Sequence, residues 1–341
     1  MRTLRIDRRE FAQLVALGLG ASALPAWAQG RKHLKIGHTG ITWPGGNLPA
    51  AGRAQGGATA PAAAAPAPGR SPDPGLAPPP TAIRPVDANA IEQIFKDVSS
   101  LGFQGLELFG WQIEGMEANG GIGKFVEQYR LPLISSYGGP NLTDPAQRKP
   151  SIERLVATAA VVKKHGGKVI VFGPNGVNRA TFVFADHKHD IIAALNEGAK
   201  AITDLGLTAV LHQHTGTCIE TRDETYAVME AVDTRYLKFG PDIGQLQKGG
   251  SDPVQVVKDF LPLIHHMHLK DYSGGEAFVG YCPLGQGKVD LATVLTMMDG
   301  RVLNGMLMVE LDGTQNMPMT PLETATIAKA YLEKQGVPFR A

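Results

Sequence analysis

Eight short apolar runs alternate along this 341-residue chain with longer segments, and this alternation limits the fold more than any other feature of the sequence. The runs are Leu34–His38, Gly105–Phe109, Leu131–Ser135, Lys168–Phe172, Leu207–His212, Tyr236–Gly240, Ile264–Leu269 and Met306–Glu310. Two of the longer segments carry helical stripes, formed by Ile91, Ile94, Phe95, Val98 and Leu101 and by Ile192, Leu195, Ala199 and Ile202. Strands that alternate with helices predict a parallel sheet, either closed or doubly wound.

Signals for the starts and ends of helices support the same alternation. Helix starts are indicated at Thr221 with Glu224, at Asp252-Pro253 and at Thr320-Pro321 with Glu323. Glycines that are expected to end helices are Gly102, Gly166, Gly206 and Gly336. The count of eight favours the closed form, and no GxGxxG turn follows the first run, as a dinucleotide-binding fold would require. The sequence therefore predicts an α/β fold, a (β/α)8 barrel of the TIM type.

Two segments are expected to lie outside this barrel. Residues 1–28 have the pattern of an export signal, with Arg8-Arg9, a short apolar run and an Ala-Trp-Ala end. The paired arginines indicate the twin-arginine route and a periplasmic product, the alternative being an amphipathic first helix. From Pro44 to Pro85, 30 of 42 residues are Ala, Pro or Gly, which predicts a disordered insert within the 29–341 domain. We expect this insert to be inert, the alternatives being a lid or a partner-binding segment.

The composition excludes several classes of function. Lys and Arg number 33 against 32 Asp and Glu, so the chain has no basic field for a nucleic-acid backbone. The two cysteines, Cys218 and Cys282, cannot form a disulfide framework, and there is no CxxC for a structural zinc site. The apolar run of the signal is too short to span a bilayer, so no membrane association is expected after cleavage.

Polar residues gather where the predicted strands end, which is where a TIM barrel carries its chemistry. They are Glu107, His212, His214, Asp242, His268, Lys270 and Glu310. His212 and His214 are two apart, as are His268 and Lys270, so both members of each pair can face the interior. Each residue alone is more often structural, but their occurrence on four successive strands predicts a divalent metal, which prefers mixed nitrogen and oxygen ligands. His266 is expected deeper in the barrel, and His265 against a helix.

These residues lie in motifs that resemble the sugar phosphate isomerase/epimerase family of xylose-isomerase-like TIM barrels. The motifs are Ile-Gly-His-Thr-Gly-Ile-Thr-Trp (36–43), His-Gln-His-Thr-Gly-Thr (212–217), Pro-Asp-Ile-Gly (241–244), Gly-Gly-x-Asp-Pro (249–253), His-x-His-Leu-Lys-Asp (266–271), Gly-x-Gly-x-Val-Asp (285–290) and Val-Glu (309–310). Their order is most similar to the inosose dehydratase branch. The resemblance runs from Leu34 to Gly336, apart from the insert.

The resemblance implies one divalent ion, Mn, Co, Zn or Mg, bound by one residue from each of strands five to eight. Carried over, the ligands are His212, Asp242, His268 and Glu310, with His214 as an alternative to His212. Many relatives have Glu at the strand-five position, and several have His where Gln245 stands here. The opening motif implies substrate contacts for His38 and Trp43, and Glu107 is expected to hold a substrate hydroxyl or to orient a ligand histidine.

The histidine on strand five favours one mechanism over another. Epimerases of this family use two metal-bound carboxylates as acid and base, and a neutral histidine cannot replace such a base. Removal of one proton followed by loss of a β-leaving group needs a single base, for which Glu310 is the candidate. His214, or Lys270 acting through water, is the candidate acid, although Lys270 could equally be a partner of Asp271. The favoured reading is therefore a dehydratase or lyase of a keto-sugar or keto-polyol.

Other functions stay open at this point. A strict isomerase or epimerase is the first alternative, and a non-catalytic periplasmic sugar-binding barrel is the second. The DNA-repair endonucleases that share the barrel need three zinc ions and more histidines, so they fit poorly. A periplasmic location favours a neutral oxidised carbohydrate, such as an inosose or a 3-keto-glycoside, over a sugar phosphate. A homo-oligomer is compatible with the resemblance, because relatives often form dimers or tetramers.

Overall fold

The computed structural model describes residues 31–43, 83–314 and 317–340. The predicted export signal, 1–28, and residues 44–82 of the predicted insert lie outside the described residues. No helix in the described ranges is long and apolar enough to cross a membrane.

The predicted barrel is confirmed by an eight-stranded parallel sheet. Its strands are β1 (Ile36–Thr39), β2 (Leu106–Phe109), β3 (Leu133–Gly138), β4 (Val169–Phe172), β5 (Thr208–Leu211), β6 (Leu237–Phe239), β7 (Met267–Leu269) and β10 (Leu307–Val309). Their order is β6-β5-β4-β3-β2-β1-β10-β7, and each of the eight overlaps one predicted run. The seam between β6 and β7 is closed by two parallel bridges, Phe239 to Ile264 and Asp242 to His268.

Helices follow the strands and cover the outside of the sheet. They are α1 (Ala88–Ser100), α2 (Gly110–Glu117), α3 (Gly123–Gln128), α4 (Pro145–Lys164), α5 (Phe184–Asp204), α6 (Arg222–Met229), α7 (Ile243–Lys248), α8 (Pro253–Phe260), α9 (Leu291–Met298) and α10 (Pro321–Lys334). An antiparallel pair that was not predicted, β8 (Asp271–Tyr272) with β9 (Tyr281–Cys282), follows β7 directly. This pair therefore stands at the carboxyl end of the barrel.

The predicted helix ends are confirmed by their hydrogen bonds. Thr221 and Thr320 each form a capping box with the glutamate three residues later, and Asp252 caps α8 ahead of a proline. The four glycines predicted to end helices all have a positive φ, between 76° and 83°. The predicted stripe of α5 packs on the main core, with Leu195, Ala199 and Ile202 buried and Ile192 partly buried, and Ile191 is buried beside it.

The apolar residues of the strands belong to a main core and to smaller clusters. Alternate residues point to opposite faces of a strand, so that Ile170 and Phe172 belong to the main core beneath the helices. Val169 and Val171 belong instead to a smaller cluster with Phe109 and Tyr137. The barrel interior is therefore packed with side chains below its mouth, and the polar residues of the motifs stand at the carboxyl end of that packing.

Candidate metal and active site

The seam of the barrel brings two of the predicted ligands together. Asp242 lies just after β6 and bridges to His268 of β7, whose backbone N–H donates to the carbonyl of Pro241 at 2.9 Å. Asp242 also caps α7, where its Oδ1 accepts the backbone N–H groups of Gly244 and Gln245 at 2.8 and 2.9 Å. The cap fixes the carboxylate and leaves Oδ2 turned toward the site.

Three buried residues offer atoms that suit a metal ion. Both ring nitrogens of His212 lack a hydrogen-bond partner among the described residues. The ring nitrogens of His268 and Oδ2 of Asp242 make ion-pair contacts, with Glu107, Glu310 and Lys270. One atom from each of the three residues lies within 4.8 Å of the others, as a shared ion requires. Buried polar atoms are almost always satisfied, so this cluster fits a bound cation.

Glu310 follows β10 and completes the arrangement. Its Oε2 lies 2.7 Å from Nδ1 of His268, and its Oε1 accepts a hydrogen bond from Nζ of Lys270 at 2.6 Å. Burial alone would raise the pKa of Glu310, but His268 and Lys270 hold it well below its ordinary value. The side chain is therefore an ionised carboxylate at neutral pH, and it stands beside the proposed ion position.

Lys270 is the cation around which the carboxylates gather. Its ammonium lies 3.2 Å from Oδ2 of Asp242 and 3.1 Å from Oδ1 of Asp312, in addition to its contact with Glu310. Burial alone would lower the pKa of Lys270, but Asp242, Asp312 and Glu310 raise it well above its ordinary value. Three carboxylates therefore face one lysine, and a divalent cation would offset part of the remaining negative charge.

The two histidines differ in their electrostatic surroundings. Burial, followed by the proximity of His268, lowers the pKa of His212 well below its ordinary value, so its ring is neutral and has a free lone pair. For His268, burial also acts to lower the pKa, but Glu310 and Glu107 raise it well above the ordinary value. Metal binding at His268 must therefore displace a proton.

Glu107 of β2 reaches across to β7. Its Oε2 accepts from Oγ of Ser135 at 2.5 Å and lies 3.1 Å from Nε2 of His266, while its Oε1 lies 2.9 Å from Nε2 of His268. Burial alone would raise the pKa of Glu107, but His268 and His266 lower it to about 2. Glu107, His266 and His268 form a second group that could hold a metal, although these short contacts already pair its members.

His214 is buried and has both ring nitrogens in use. Nδ1 lies 2.8 Å from the carbonyl of Thr215, and Nε2 lies 2.6 Å from Nε2 of Gln245. The amide oxygen of Gln245 accepts from the N–H and the hydroxyl of Thr215, which leaves the amide nitrogen as the donor to His214. His214 therefore carries its proton on Nδ1, and it is not free to donate a proton from Nε2.

A small cavity opens above these residues. It is lined by Thr39, Gly40, Ile41, Glu107, Leu108, Phe109, Tyr137, His212, His214 and Glu310. The other two predicted substrate residues, His38 and Trp43, do not line it. The ring of His38 packs edge-on against Trp43 and Phe103, and the indole N–H of Trp43 donates to Asp97 of α1 at 2.9 Å.

The predicted alternative partner of Lys270 is wrong. The carboxylate of Asp271 does not pair with Lys270 but accepts four backbone N–H groups, from Tyr272, Gly285, Gly287 and Val289, at 2.9 to 3.2 Å. Lys270 instead faces the carboxylates of the site.

A model of the xylose isomerase-like TIM barrel family matches residues 95–334, which is more than half of the chain. The chain belongs to this family. An inosose dehydratase of Clostridium botulinum (strain Alaska E43 / Type E3) is 23% identical over 274 residues, covering 73% of this chain and 90% of that protein.

Two solved structures share the fold. The IOLI protein with a bound zinc atom gives a TM-score of 0.60 at 16% identity, covering 72% of this chain and 92% of that chain. The 3-keto-D-glucoside 4-epimerase YcjR from E. coli, in its apo form, gives 0.56 at 16% identity, covering 71% and 94%. With relatives named as dehydratases and epimerases, this xylose isomerase-like chain is an enzyme of the isomerase, epimerase and lyase type.

Some residues of the site were not predicted from the sequence. Asp312 contacts Lys270, and its position two residues after Glu310, on the same side of an extended segment, was a usable signal. Ser135 was seen only as the end of an apolar run, and its contact with Glu107 spans two strands. Phe109 and Tyr137 line the cavity, but no local pattern distinguishes them from core residues.

Proposed function

We propose that this protein is a divalent-metal-dependent lyase that dehydrates a keto-sugar or keto-polyol, or expels another β-leaving group from it. The observation that carries the proposal is the meeting of His212, Asp242 and His268 at the carboxyl end of the barrel, with Glu310 2.7 Å from His268 and with both ring nitrogens of His212 lacking a hydrogen bond among the described residues. The zinc atom of the IOLI protein and the name of the inosose dehydratase support the same reading.

The residues present fit a divalent ion. His212, Asp242, His268 and Glu310 would hold it, since two imidazoles and two carboxylates form a donor set that Mn, Co and Zn accept. When bound, such an ion polarises the substrate carbonyl and stabilises the negative charge that develops on its oxygen.

The chain's own residues would move the protons. Glu310, ionised and facing the cavity, takes the proton from the carbon next to the carbonyl. The bond between the β-carbon and its oxygen then breaks, and the leaving group departs with a proton that Lys270 supplies through water, so the product is an unsaturated ketone and no oxidant is needed. The water is required because Lys270 is buried against Glu310 and does not line the cavity. His214 does line the cavity, but its Nε2 accepts from Gln245 and carries no proton to donate.

The cavity supports a neutral substrate. Phe109, Tyr137 and Ile41 give it an apolar wall against which a sugar ring could pack. An inosose or a 3-keto-glycoside fits this description, and the epimerase among the similar structures is named for a 3-keto-D-glucoside. A periplasmic location after twin-arginine export is part of the proposal and is consistent with an unphosphorylated substrate.

The test is product analysis in deuterated water. Protein loaded with Mn, Co or Zn is incubated with an inosose and with a 3-keto-glucoside, and the products are followed by mass spectrometry and NMR. An unsaturated ketone, lost on chelation and restored by the metal, supports the lyase. Deuterium in recovered substrate without that product indicates an epimerase, and binding that survives chelation without turnover indicates a sugar-binding barrel.

A single substitution, compared with a matched control, tests the role of Glu310 as the base. Glu310→Gln is expected to reduce turnover by about 10²-fold or more, because it removes the proton acceptor. The matched control is Glu114→Gln, the same change on α2, where the glutamate pairs with Arg154 on the outer layer. Equal turnover in Glu310→Gln and the wild type would contradict the proposed base.

A further inference from the structure

We infer that Glu107 is a positioning residue that turns the ring of His268 so that Nδ1, and not Nε2, is the nitrogen that binds the metal. The inference rests on the proposed metal site. It assigns to Glu107 a contact with a ligand rather than with substrate, and it makes Ser135 and His266 part of the same device. We call Ser135, His266 and Glu107 the inner clamp.

The inner clamp fixes the carboxylate of Glu107. The backbone N–H of Met306 donates to Nδ1 of His266 at 3.3 Å, so a neutral His266 carries its proton on Nε2. That Nε2 lies 3.1 Å from Oε2 of Glu107, and the hydroxyl of Ser135 donates to the same oxygen at 2.5 Å. Two donors, one on β3 and one directly before β7, therefore hold one carboxylate oxygen, and all three side chains are buried.

The second oxygen of Glu107 faces His268. Oε1 lies 2.9 Å from Nε2 of the ring, where a lone pair on the nitrogen would be repelled and a proton would be attracted. On the other side of the ring, Nδ1 lies 2.7 Å from Oε2 of Glu310, so without an ion each nitrogen of His268 faces a carboxylate that favours a proton on it. When Glu310 binds an ion, its charge no longer favours a proton on Nδ1, and the remaining proton is held on Nε2 by Glu107. Nδ1 is then the nitrogen left to bind the ion.

The alternation of β7 makes this arrangement possible. His266, directly before β7, and His268 within it are two residues apart, and one carboxylate from β2 contacts both rings. With three donors on its two oxygens, Glu107 has little remaining capacity for a substrate hydroxyl, although it borders the cavity. Carboxylates that fix ligand histidines in this way raise metal affinity, and their loss typically costs 10- to 100-fold.

The first test is zinc affinity, measured on the full-length protein by competition with a chromogenic chelator. Glu107→Gln is expected to weaken zinc binding by about 10- to 100-fold, because an amide cannot accept from Ser135, His266 and His268 together. Glu114→Gln, the same substitution outside the barrel, is expected to keep the wild-type affinity. Unchanged affinity in Glu107→Gln would overturn the inference.

If Glu107→Gln fails to fold, a pair of milder variants still tests the inference. Ser135→Ala removes one donor of the inner clamp and is expected to weaken zinc binding several-fold. Ser136→Ala removes the next hydroxyl along β3, which points to the opposite face of the strand, and should leave zinc binding unchanged. Equal affinities for these two variants would also overturn the inference.

The decisive readout does not depend on affinity. In a crystal structure of the zinc-loaded protein, Nδ1 of His268 is expected about 2.1 Å from the ion, with Nε2 still facing Glu107. The visible spectrum of the cobalt-loaded protein should change in Glu107→Gln and remain unchanged in Glu114→Gln. Ligation through Nε2 would overturn this inference alone, whereas a wild-type protein that binds no zinc would overturn the proposed function and the inference with it.

Discussion

His38 shows how a single strand position decides what a residue can do. The motif around it implied a substrate contact, and its predicted run ended at His38 itself. The strand in fact continues to Thr39, which lines the cavity, so the preceding residue points to the opposite face. His38 is buried there between Trp43 and Phe103, and its Nδ1 contacts the carbonyl of Thr39 at 2.7 Å.

This buried ring predicts a pH dependence of stability. Burial lowers the pKa of His38 from 6.5 to about 4, although the Thr39 carbonyl acts in the opposite direction. The unfolded chain therefore binds the proton first, so that stability is full above pH 6.5 and is lost as the pH falls toward 4. Between pH 7 and pH 5 the loss from this residue is about 2 kcal/mol.

Urea unfolding at pH 7 and pH 5 measures this loss. His38→Phe, which keeps an aromatic ring in the packing, is expected to reduce the difference between the two pH values by about 2 kcal/mol. His189→Gln removes a histidine whose side chain is 95% exposed and should leave the difference as in the wild type. A His38→Phe protein with the full wild-type difference would show that another group is responsible.

At the scale of elements, the segment after β7 explains the structural role of two sequence motifs to which the proposed reaction assigns no catalytic role. Asp271 ends the His-x-His-Leu-Lys-Asp motif, and its carboxylate gathers backbone N–H groups from the Gly-x-Gly-x-Val-Asp segment. A Cβ at Gly287 would lie 2.1 Å from Oδ1 of Asp271, which accounts for a glycine at that position. The two motifs therefore form one loop anchor beside Lys270.

Substitution of this anchor is expected to destabilise the protein. Asp271→Ala leaves four backbone donors without their acceptor, and we expect a loss of about 3 kcal/mol or more in the free energy of unfolding. Asp271→Asn keeps one acceptor oxygen and should lose less. Both are measured by urea denaturation against Asp223→Ala, whose side chain is 94% exposed and should change stability by about 0.5 kcal/mol or less. Wild-type stability in Asp271→Ala would contradict the anchor.

The elements that were predictable are those whose signals are local. These signals are apolar runs, terminal glycines and capping boxes such as Thr320 with Glu323, and each involves only residues close together in sequence. They predicted the eight strands and the ends of several helices. The β8–β9 pair was not predictable in this way. Its turn contains Phe278 and Val279, both with positive φ, a conformation that such residues rarely adopt and that local sequence does not indicate.

The candidate site likewise has one part that the sequence predicts and another part that it does not. That Asp242, His268 and Glu310 would meet followed from the barrel, since its strand ends share one rim. Which carboxylate pairs with Lys270, and that Ser135 and His266 hold Glu107, depends on contacts between strands distant in sequence. Such contacts are fixed by register and by the closure of the seam, and neither is encoded in a motif.

At the scale of the whole molecule, the insert is attached where the barrel is already fixed. Before it, Trp43 donates to Asp97 of α1, and after it, Asp87 caps the same helix by accepting from Asn89 at 2.9 Å. Val86, which directly precedes Asp87, is buried in the main core. Both junctions are therefore held by α1.

Deletion of residues 46–82 should consequently leave the enzyme intact. A shorter connection lowers the entropic cost of closing the loop, which changes by only about 0.6 kcal/mol for each doubling of length. We expect turnover within about two-fold of the wild type and no fall in the midpoint of thermal unfolding, measured by calorimetry on both proteins. A large loss of turnover with an unchanged unfolding midpoint would instead make the insert a lid, because only contact with substrate, and not support of the fold, would then have been removed.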